Sequence, residues 1–265
     1  HGAKGPNLTI STACSSSAHA LGQAFHCIRT GQADVVIAVG ADASITPLVF
    51  AGFCSLRALS SEFNNAPERA SRPFDRRRDG FVMGEGAAAL IVESWAHAKK
   101  RKARIYAELA GYAATSEAYH MVIPQEDGQE ICTTMKIGLK SAGIGPDQVD
   151  YINAHATSTT IGDAVETKAI RTLFKSRADK IAVNATKSLV GHTLGAAGAI
   201  GAVATTLSIH TGQIHPTANY EEPDPDCRLN GIRRAVQERK IRYALLNAFG
   251  FGSNNATVVF KKFVA

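Results

Sequence analysis

Cysteine is scarce and unpaired in this sequence: Cys14, Cys27, Cys54, Cys132 and Cys227 are spread over 265 residues without a Cys-x-x-Cys spacing. Such an odd, scattered set excludes a disulfide framework and a zinc ribbon, and it fits a reducing compartment, with the cytoplasm as the default. Aromatics make up only 7%, with a single Trp, so the stacking surfaces of single-strand nucleic-acid binding are missing and no nucleic-acid partner is expected. The 23 Gly and 9 Pro follow no period, which removes the collagen-like and low-complexity classes. Neither sign of charge dominates. The 29 Lys and Arg against 23 Asp and Glu leave a net charge of +6, a mild tilt toward acidic partners. The longest mostly apolar stretch, Leu194 to Ile209, is broken by Gly and Thr, and no membrane span is expected from it. No His-x-x-x-His pair and no His grouped with carboxylates points to a metal site. The chain has no initiator Met and no leader pattern, and it reads as a portion of a longer polypeptide.

What remains is an ordinary globular composition, 45% hydrophobic, arranged as alternating strands and helices. Asn7 to Thr12 reads as a short buried strand, followed by an amphipathic helix over Ser15 to Thr30 that opens on a run of serines, good capping residues. The apolar run from Asp34 to Gly40 predicts a strand covered on both faces. A loop-rich stretch from Ala58 to Gly80 leads to a strand over Ala87 to Glu93 and a basic helical end over Trp95 to Lys102. The alternation then restarts, with strands over Ile105–Ala113, Val149–Asn153 and Lys180–Asn184. Helices are expected over Gln129–Ala142, Gly162–Phe174 and Leu194–Thr211, and two closing strands over Arg242–Ala248 and Ala256–Lys262. The pattern predicts an α/β fold in two packed parts, an incomplete first over 1–103 and a fuller second over 104–265.

Several residues stand where chemistry is done. Cys14 lies in the sequence STACSSS between an expected strand and an expected helix, where helix amides and dipole favour a thiolate and offer oxyanion donors. The position suits a buried cysteine under a helix start equally well. His155, in NAHATST, and His192, in KSLVGHTLGAAGA, each follow a strand, so the two imidazoles can meet at one sheet edge as hydrogen-bond donors or proton carriers. Unrelated loop histidines are the plain alternative. Lys187 is either an electrostatic partner of such a site or a solvated lysine. Asp163 and Glu166 suit a helix N-terminus and could also hold a lysine or histidine. The loop Arg69 to Gly80, with five arginines and two aspartates, reads as a solvated or internally paired surface that could also receive phosphate or an acidic protein. The FGFG turn, with Phe249 and Phe251, places a backbone amide and a movable phenyl where a ligand would meet them.

Taken in order, STACSSS, RPFDRRRDGFVMGEGAA from Arg72, NAHATST, KSLVGHTLGAAGA and NAFGFG resemble the β-ketoacyl-acyl carrier protein synthases, specifically the elongating type II enzymes. The resemblance implies a thiolase-like fold of two similar α/β halves stacked in five layers, working as a homodimer without a cofactor. It implies a decarboxylative Claisen condensation in which Cys14 carries an acyl group and His155 and His192 bind the malonyl thioester of an acyl carrier protein. Lys187 would tune the histidines, and the N–H groups of Cys14 and Phe251 would form the oxyanion hole. Thr157 and Thr159 match positions that hold the phosphopantetheine arm, Phe251 matches the gate to the acyl pocket, and Phe249 lies in the same substrate-binding turn.

The chain departs from that family in three places. It begins thirteen residues ahead of Cys14, where the family carries a further α/β portion. Gly201 replaces a Glu expected near Lys187, which would leave the lysine without its usual partner, and Gly-Ser-Asn-Asn replaces Gly-Gly-Thr-Asn after the gate. Besides the fatty acid enzyme, a non-catalytic chain-length-setting partner and a polyketide ketosynthase fit the same motifs. The presence of Cys14, both histidines and Lys187 favours an enzyme.

Overall fold

The computed structural model describes residues 2–264. A helix α1 (Ser16–Arg29) leads into the strand β1 (Val35–Asp42), the helix α2 (Pro47–Ser55), the strand β2 (Gly86–Glu93) and the short helix α3 (Trp95–Lys100). The second part runs β3 (Glu108–Ser116), α4 (Gln129–Ser141), β4 (Tyr151–Asn153), α5 (Thr160–Phe174), β5 (Ala182–Asn184), α6 (Lys187–Val190) and α7 (Ala197–Thr211). It closes with β6 (Gln213–Ile214), β7 (Gln237–Glu238), β8 (Tyr243–Gly250) and β9 (Asn254–Lys261).

Five strands form the central sheet in the order β3-β9-β8-β4-β5. β3, β9 and β8 pair antiparallel, whereas β8, β4 and β5 run parallel. Alternation along β8 and β9 divides the core in two. Leu245 and Val259 face a cluster with Ile131, Met135, Ile170 and Phe174 of α4 and α5. Leu246, Val258 and Phe260 face the opposite cluster, with Leu21 of α1 and Ala202 and Ile209 of α7. A sheet covered on both faces needs near-continuous apolar strands, and β8 and β9 have them.

β1 and β2 pair antiparallel as a separate two-stranded sheet whose inner face lies against α1 and α7. Its outer face is open: Val35, Ile37 and Val39 are exposed, as is Ile91, the partner of Ile37 across the pair. The apolar run of β1 is thus covered on one face among the described residues rather than on both. Asn7 to Thr12 forms no strand either, and among the described residues its one pairing is an isolated bridge between Thr12 and Cys14. The serines that open α1 do not cap it. Ala13 takes φ +50, which turns its carbonyl and that of Thr12 toward the hydroxyls of Ser16 and Ser15, and these donate to them at 2.6 and 2.8 Å.

The two sheets are joined where α1 crosses α7. Leu194–Thr211 is long and apolar enough to cross a membrane, so the sequence reading underrated it. Here it is a core helix, packed on α1, β1, β2 and β8. Small residues make that crossing close. A Cβ on Gly198 would lie 2.6 Å from the Ala18 nitrogen, and the Ala199 N–H donates to Ser17 Oγ at 2.8 Å. Gly198→Val in the full-length protein should therefore lower stability by about 1–3 kcal/mol through overpacking. Gly52→Ala on exposed α2, where nothing lies within 4 Å, should leave stability unchanged or raise it by up to about 1 kcal/mol. Urea midpoints of the two variants, measured against the parent, check the contrast.

Candidate active site

The parallel strands β4, β5 and β8 end at the same edge of the sheet, the edge at which open α/β sheets place their ligands. His155 follows β4, Lys187 and His192 follow β5, and Phe249 to Phe251 end β8 and begin the turn to β9. Cys14, just before α1, reaches the same place. Cys14, His155, His192, Thr157, Thr159, Phe249 and Phe251 all line one cavity of about 220 Å³.

Cys14 is buried, and the N–H groups of Phe251 and of Cys14 itself face its sulfur. The approach of the two segments depends on Gly250, where a Cβ would stand 2.6 Å from the Thr12 carbonyl and 3.2 Å from the Cys14 nitrogen. Burial pushes the thiol up to about 11, against the lowering effect of the Lys187 charge and the two amides. The thiolate expected at a helix start is thus corrected to a thiol, because desolvation outweighs the Lys187 charge and the amides.

His155 and His192 stand edge to face with ring centroids 5.7 Å apart. Burial and the positive charge of Lys187 hold both imidazoles neutral, well below the usual histidine range. The Leu194 N–H donates to His192 Nδ1 at 3.3 Å, so Nδ1 is bare and the proton sits on Nε2. The backbone of His192 is clamped as well, its N–H donating to the Val82 carbonyl at 2.7 Å and its carbonyl accepting from Gly84 at 3.0 Å. His155 lies against Phe249 and His192 against Phe81, at centroid distances of 5.4 and 5.3 Å.

Lys187 Nζ donates to the His155 carbonyl at 2.6 Å, and burial brings its ammonium down to about 8, with Glu166 the strongest opposing influence. The Glu expected at position 201 is absent, yet the lysine retains Glu166 and Asp163 as acidic neighbours. Those two carboxylates are fully buried and do more than decorate a helix start. Glu166 accepts the N–H groups of His155 and Ala156 at 2.9 and 2.8 Å and the Asn247 amide at 3.0 Å. Asp163 accepts from Ser158 and Phe74 at 3.1 and 2.9 Å, and burial raises its carboxyl to about 6. Between them runs a loop in which Ala156 and Ser158 take φ +31 and +74, unfavourable for residues with a Cβ. Thr159 caps α5, accepting from the Gly162 N–H at 3.2 Å, and its hydroxyl lies 3.2 Å from that of Thr157.

The arginine loop is internally paired, with Arg72 and Arg78 buried and Arg76 and Arg77 exposed. Arg72 and Asp75 are fully buried and paired at 2.9 Å. Arg78 is buried too, donating to the Thr159 and Thr160 carbonyls at 3.0 and 2.6 Å and pairing with Asp224. Reading by sequence missed Arg78, Asn247 and Phe81 as supports of the site. Their only local signal was the charge density of the loop and the Asn ahead of the FGFG turn.

A family profile described as "Beta-ketoacyl synthase, N-terminal domain" matches residues 1–98, and one described as "Beta-ketoacyl synthase, C-terminal domain" matches 106–221. A 3-oxoacyl-[acyl-carrier-protein] synthase 2 from Coxiella burnetii is 47% identical over 98% of this chain and 62% of its own length. A mitochondrial 3-oxoacyl-[acyl-carrier-protein] synthase from Arabidopsis thaliana is 46% identical over 98% of this chain and 57% of its own length. The chain thus spans about three-fifths of the curated relatives it matches. Among solved structures, a type II polyketide ketosynthase in complex with its acyl-carrier protein superposes with a TM-score of 0.97 at 41% identity, covering 99% of this chain and 64% of that one. Both profiles of one family lie along this sequence, and solved ketosynthases share its architecture: the chain belongs to the β-ketoacyl synthases and has their thiolase-like fold.

Proposed function

We propose that the full-length protein elongates acyl chains by decarboxylative Claisen condensation, yielding a 3-oxoacyl-acyl carrier protein for fatty acid synthesis. The observation that carries this reading is the meeting, in one cavity, of a thiol faced by two inward N–H groups and two neutral imidazoles. In the first half-reaction Cys14 attacks the acyl thioester, the N–H groups of Cys14 and Phe251 hold the oxyanion, and the carrier thiol leaves with a proton. In the second, His155 and His192 donate hydrogen bonds to the carbonyl oxygen of the malonyl thioester. The bond to the carboxylate then breaks, carbon dioxide leaves, and its electron pair becomes the enolate. The enolate carbon attacks the acyl carbonyl, and collapse of that adduct expels the Cys14 sulfur as a thiolate, which takes a proton from water to restore the thiol. Neutral imidazoles suit this role, since their donated bonds strengthen as charge grows on the oxygen. The charge of Lys187 supports it by opposing their protonation.

Thr157 and Thr159 would steady the phosphopantetheine arm, Phe251 would gate the acyl pocket, and Phe249 would wall the histidine side. Asp163 and Glu166 would act as supports. The carbanion arises by decarboxylation, so no cofactor enters the scheme. The partners would be the acyl and malonyl forms of an acidic acyl carrier protein, met by the positive net charge, and a second copy in a homodimer. Residues 1–103 and 104–265 would belong to the two halves of the fold. Curated relatives carry bacterial, mitochondrial and chloroplastic names, and the cytoplasm of a bacterium or an organelle matrix is the proposed setting.

Intact mass of the full-length protein after incubation with a medium-chain acyl carrier protein should show one acyl adduct, absent in Cys14→Ala. That variant should lose condensation and keep malonyl decarboxylation; normal elongation by it would sink the nucleophile assignment. Because the thiol lies near 11, alkylation of Cys14 by iodoacetamide should rise about tenfold per pH unit between pH 7 and 9, as the thiolate fraction does. A plateau below pH 8 would show instead an activated thiolate. Glu166→Gln offers one acceptor oxygen where two backbone N–H groups need one each, and should cost about 1–3 kcal/mol of stability. Urea titration of the full-length variant checks this. Its condensation rate should fall more than its Cys14 acylation rate.

A further inference from the structure

Behind the site, away from the cavity, lies a polar cluster that the mechanism above does not use, buried at Tyr151, Asn153 and Asn184 and half-buried at Thr186 and His215. Its protonation is decided by two backbone carbonyls, which can only accept. His215 Nδ1 lies 2.9 Å from the Pro216 carbonyl, so Nδ1 carries the proton and Nε2 is the bare, accepting nitrogen. The Asn184 side-chain nitrogen lies 3.0 Å from the His215 carbonyl, which fixes the orientation of that amide. Its second hydrogen then goes to His215 Nε2, also at 3.0 Å, while its oxygen accepts from the Tyr151 hydroxyl at 2.7 Å.

The cluster continues through Thr186, whose hydroxyl lies 3.1 Å from His215 Nε2, donates to Asn153 Oδ1 at 3.1 Å and accepts from the Asn153 amide at 2.9 Å. Asn153 also reaches the Gly201 carbonyl and the Thr205 hydroxyl, each at 3.1 Å. Asn153 ends β4 two residues before His155. Asn184 ends β5, and Thr186 directly precedes Lys187. His215, on the turn after β6, therefore ties together the ends of the two strands that carry His155 and Lys187. Cys14 and α1 contribute nothing to the cluster.

We infer that His215 is a positioning residue for the decarboxylation and condensation half of the reaction, acting through its contacts with Asn184 and Thr186, and through Thr186 on Asn153, on the placement of Lys187 and His155. This rests on the condensing activity proposed above. The required species is the neutral Nδ1–H tautomer with Nε2 as acceptor. With the proton on Nε2 instead, the Asn184 amide would face a donor, and the tie between the strands would open.

The test uses the full-length protein with labelled histidine. Its long-range nitrogen–proton spectrum, assigned by loss of the signal in His215→Gln, should show His215 protonated at Nδ1. An Nε2–H tautomer overturns the inference. His215→Leu should lower the condensation kcat roughly tenfold or more, since small misplacements of reacting groups are costly, with the acylation rate of Cys14 unchanged. His215→Gln, which returns an acceptor oxygen near the position of Nε2, should recover most of that loss. Equal impairment of both variants, or equal loss of acylation and condensation, would mean bulk structural support and would overturn the proposal. Should His215→Leu fail to fold, the tautomer and the acylation-to-condensation ratio of His215→Gln decide the matter. A parent protein that does not condense at all would instead overturn the proposed function, and the tautomer would still be read independently.

Discussion

The site depends on two carboxylates taken out of water. Asp163 and Glu166 lie one helical turn apart on α5 and accept the backbone N–H groups of His155, Ala156, Ser158 and Phe74. Charged acceptors make the strongest of such bonds, and here they have a specific task. The loop from Ala154 to Thr159 contains two left-handed residues, each costing roughly 1–3 kcal/mol when the residue bears a side chain. That conformation persists because its amides have no better partners. The bent loop delivers His155 to the cavity wall and turns its carbonyl to Lys187. Glu166 also offsets part of the desolvation of Lys187, and Asp163 links the loop to Arg78 and the arginine-rich segment. One short helical turn thus couples the histidine, the lysine and the cavity mouth.

Burial then sets the protonation states in a consistent direction. It raises Cys14, lowers Lys187, and keeps both imidazoles neutral. Each group is shifted toward its uncharged form, as desolvation requires, and the cation at Lys187 adds to the effect on the histidines. A site arranged in this way works through directed hydrogen bonds rather than through a resident ion pair. Two N–H groups face the sulfur and favour its thiolate, without offsetting burial. The tautomer of His192 is fixed, because a backbone N–H occupies its Nδ1.

Much of the secondary structure was legible because it is written locally. The periodicities of Ser16–Arg29, Gln129–Ser141 and Thr160–Phe174 mark helices, and the apolar runs of β1, β2, β8 and β9 mark strands. The errors came where neighbours distant in sequence decide. Asn7 to Thr12 looks like a strand but finds no partner strand among the described residues. The density of charge in the arginine loop left solvation and internal pairing both open, and Asp75, Asp163, Asp224 and backbone carbonyls decide for pairing at Arg72 and Arg78. α2 was missed, since its short apolar sequence has no polar face to give a helical period.

The sequence by itself determined the order of elements, the family likeness and the set of candidate site residues, because these follow from residue type and short-range spacing. Tertiary structure alone decided which segments face one another at the ends of β4, β5 and β8, and with that the shifts of Cys14, His155, Lys187 and His192 toward their uncharged forms. The physical reason is desolvation: the free energy of a charge depends on the water excluded around it and on partners brought from far along the chain. A Cys at a helix start reads as a thiolate from its neighbours in sequence, and becomes a thiol near 11 once the rest of the molecule closes over it.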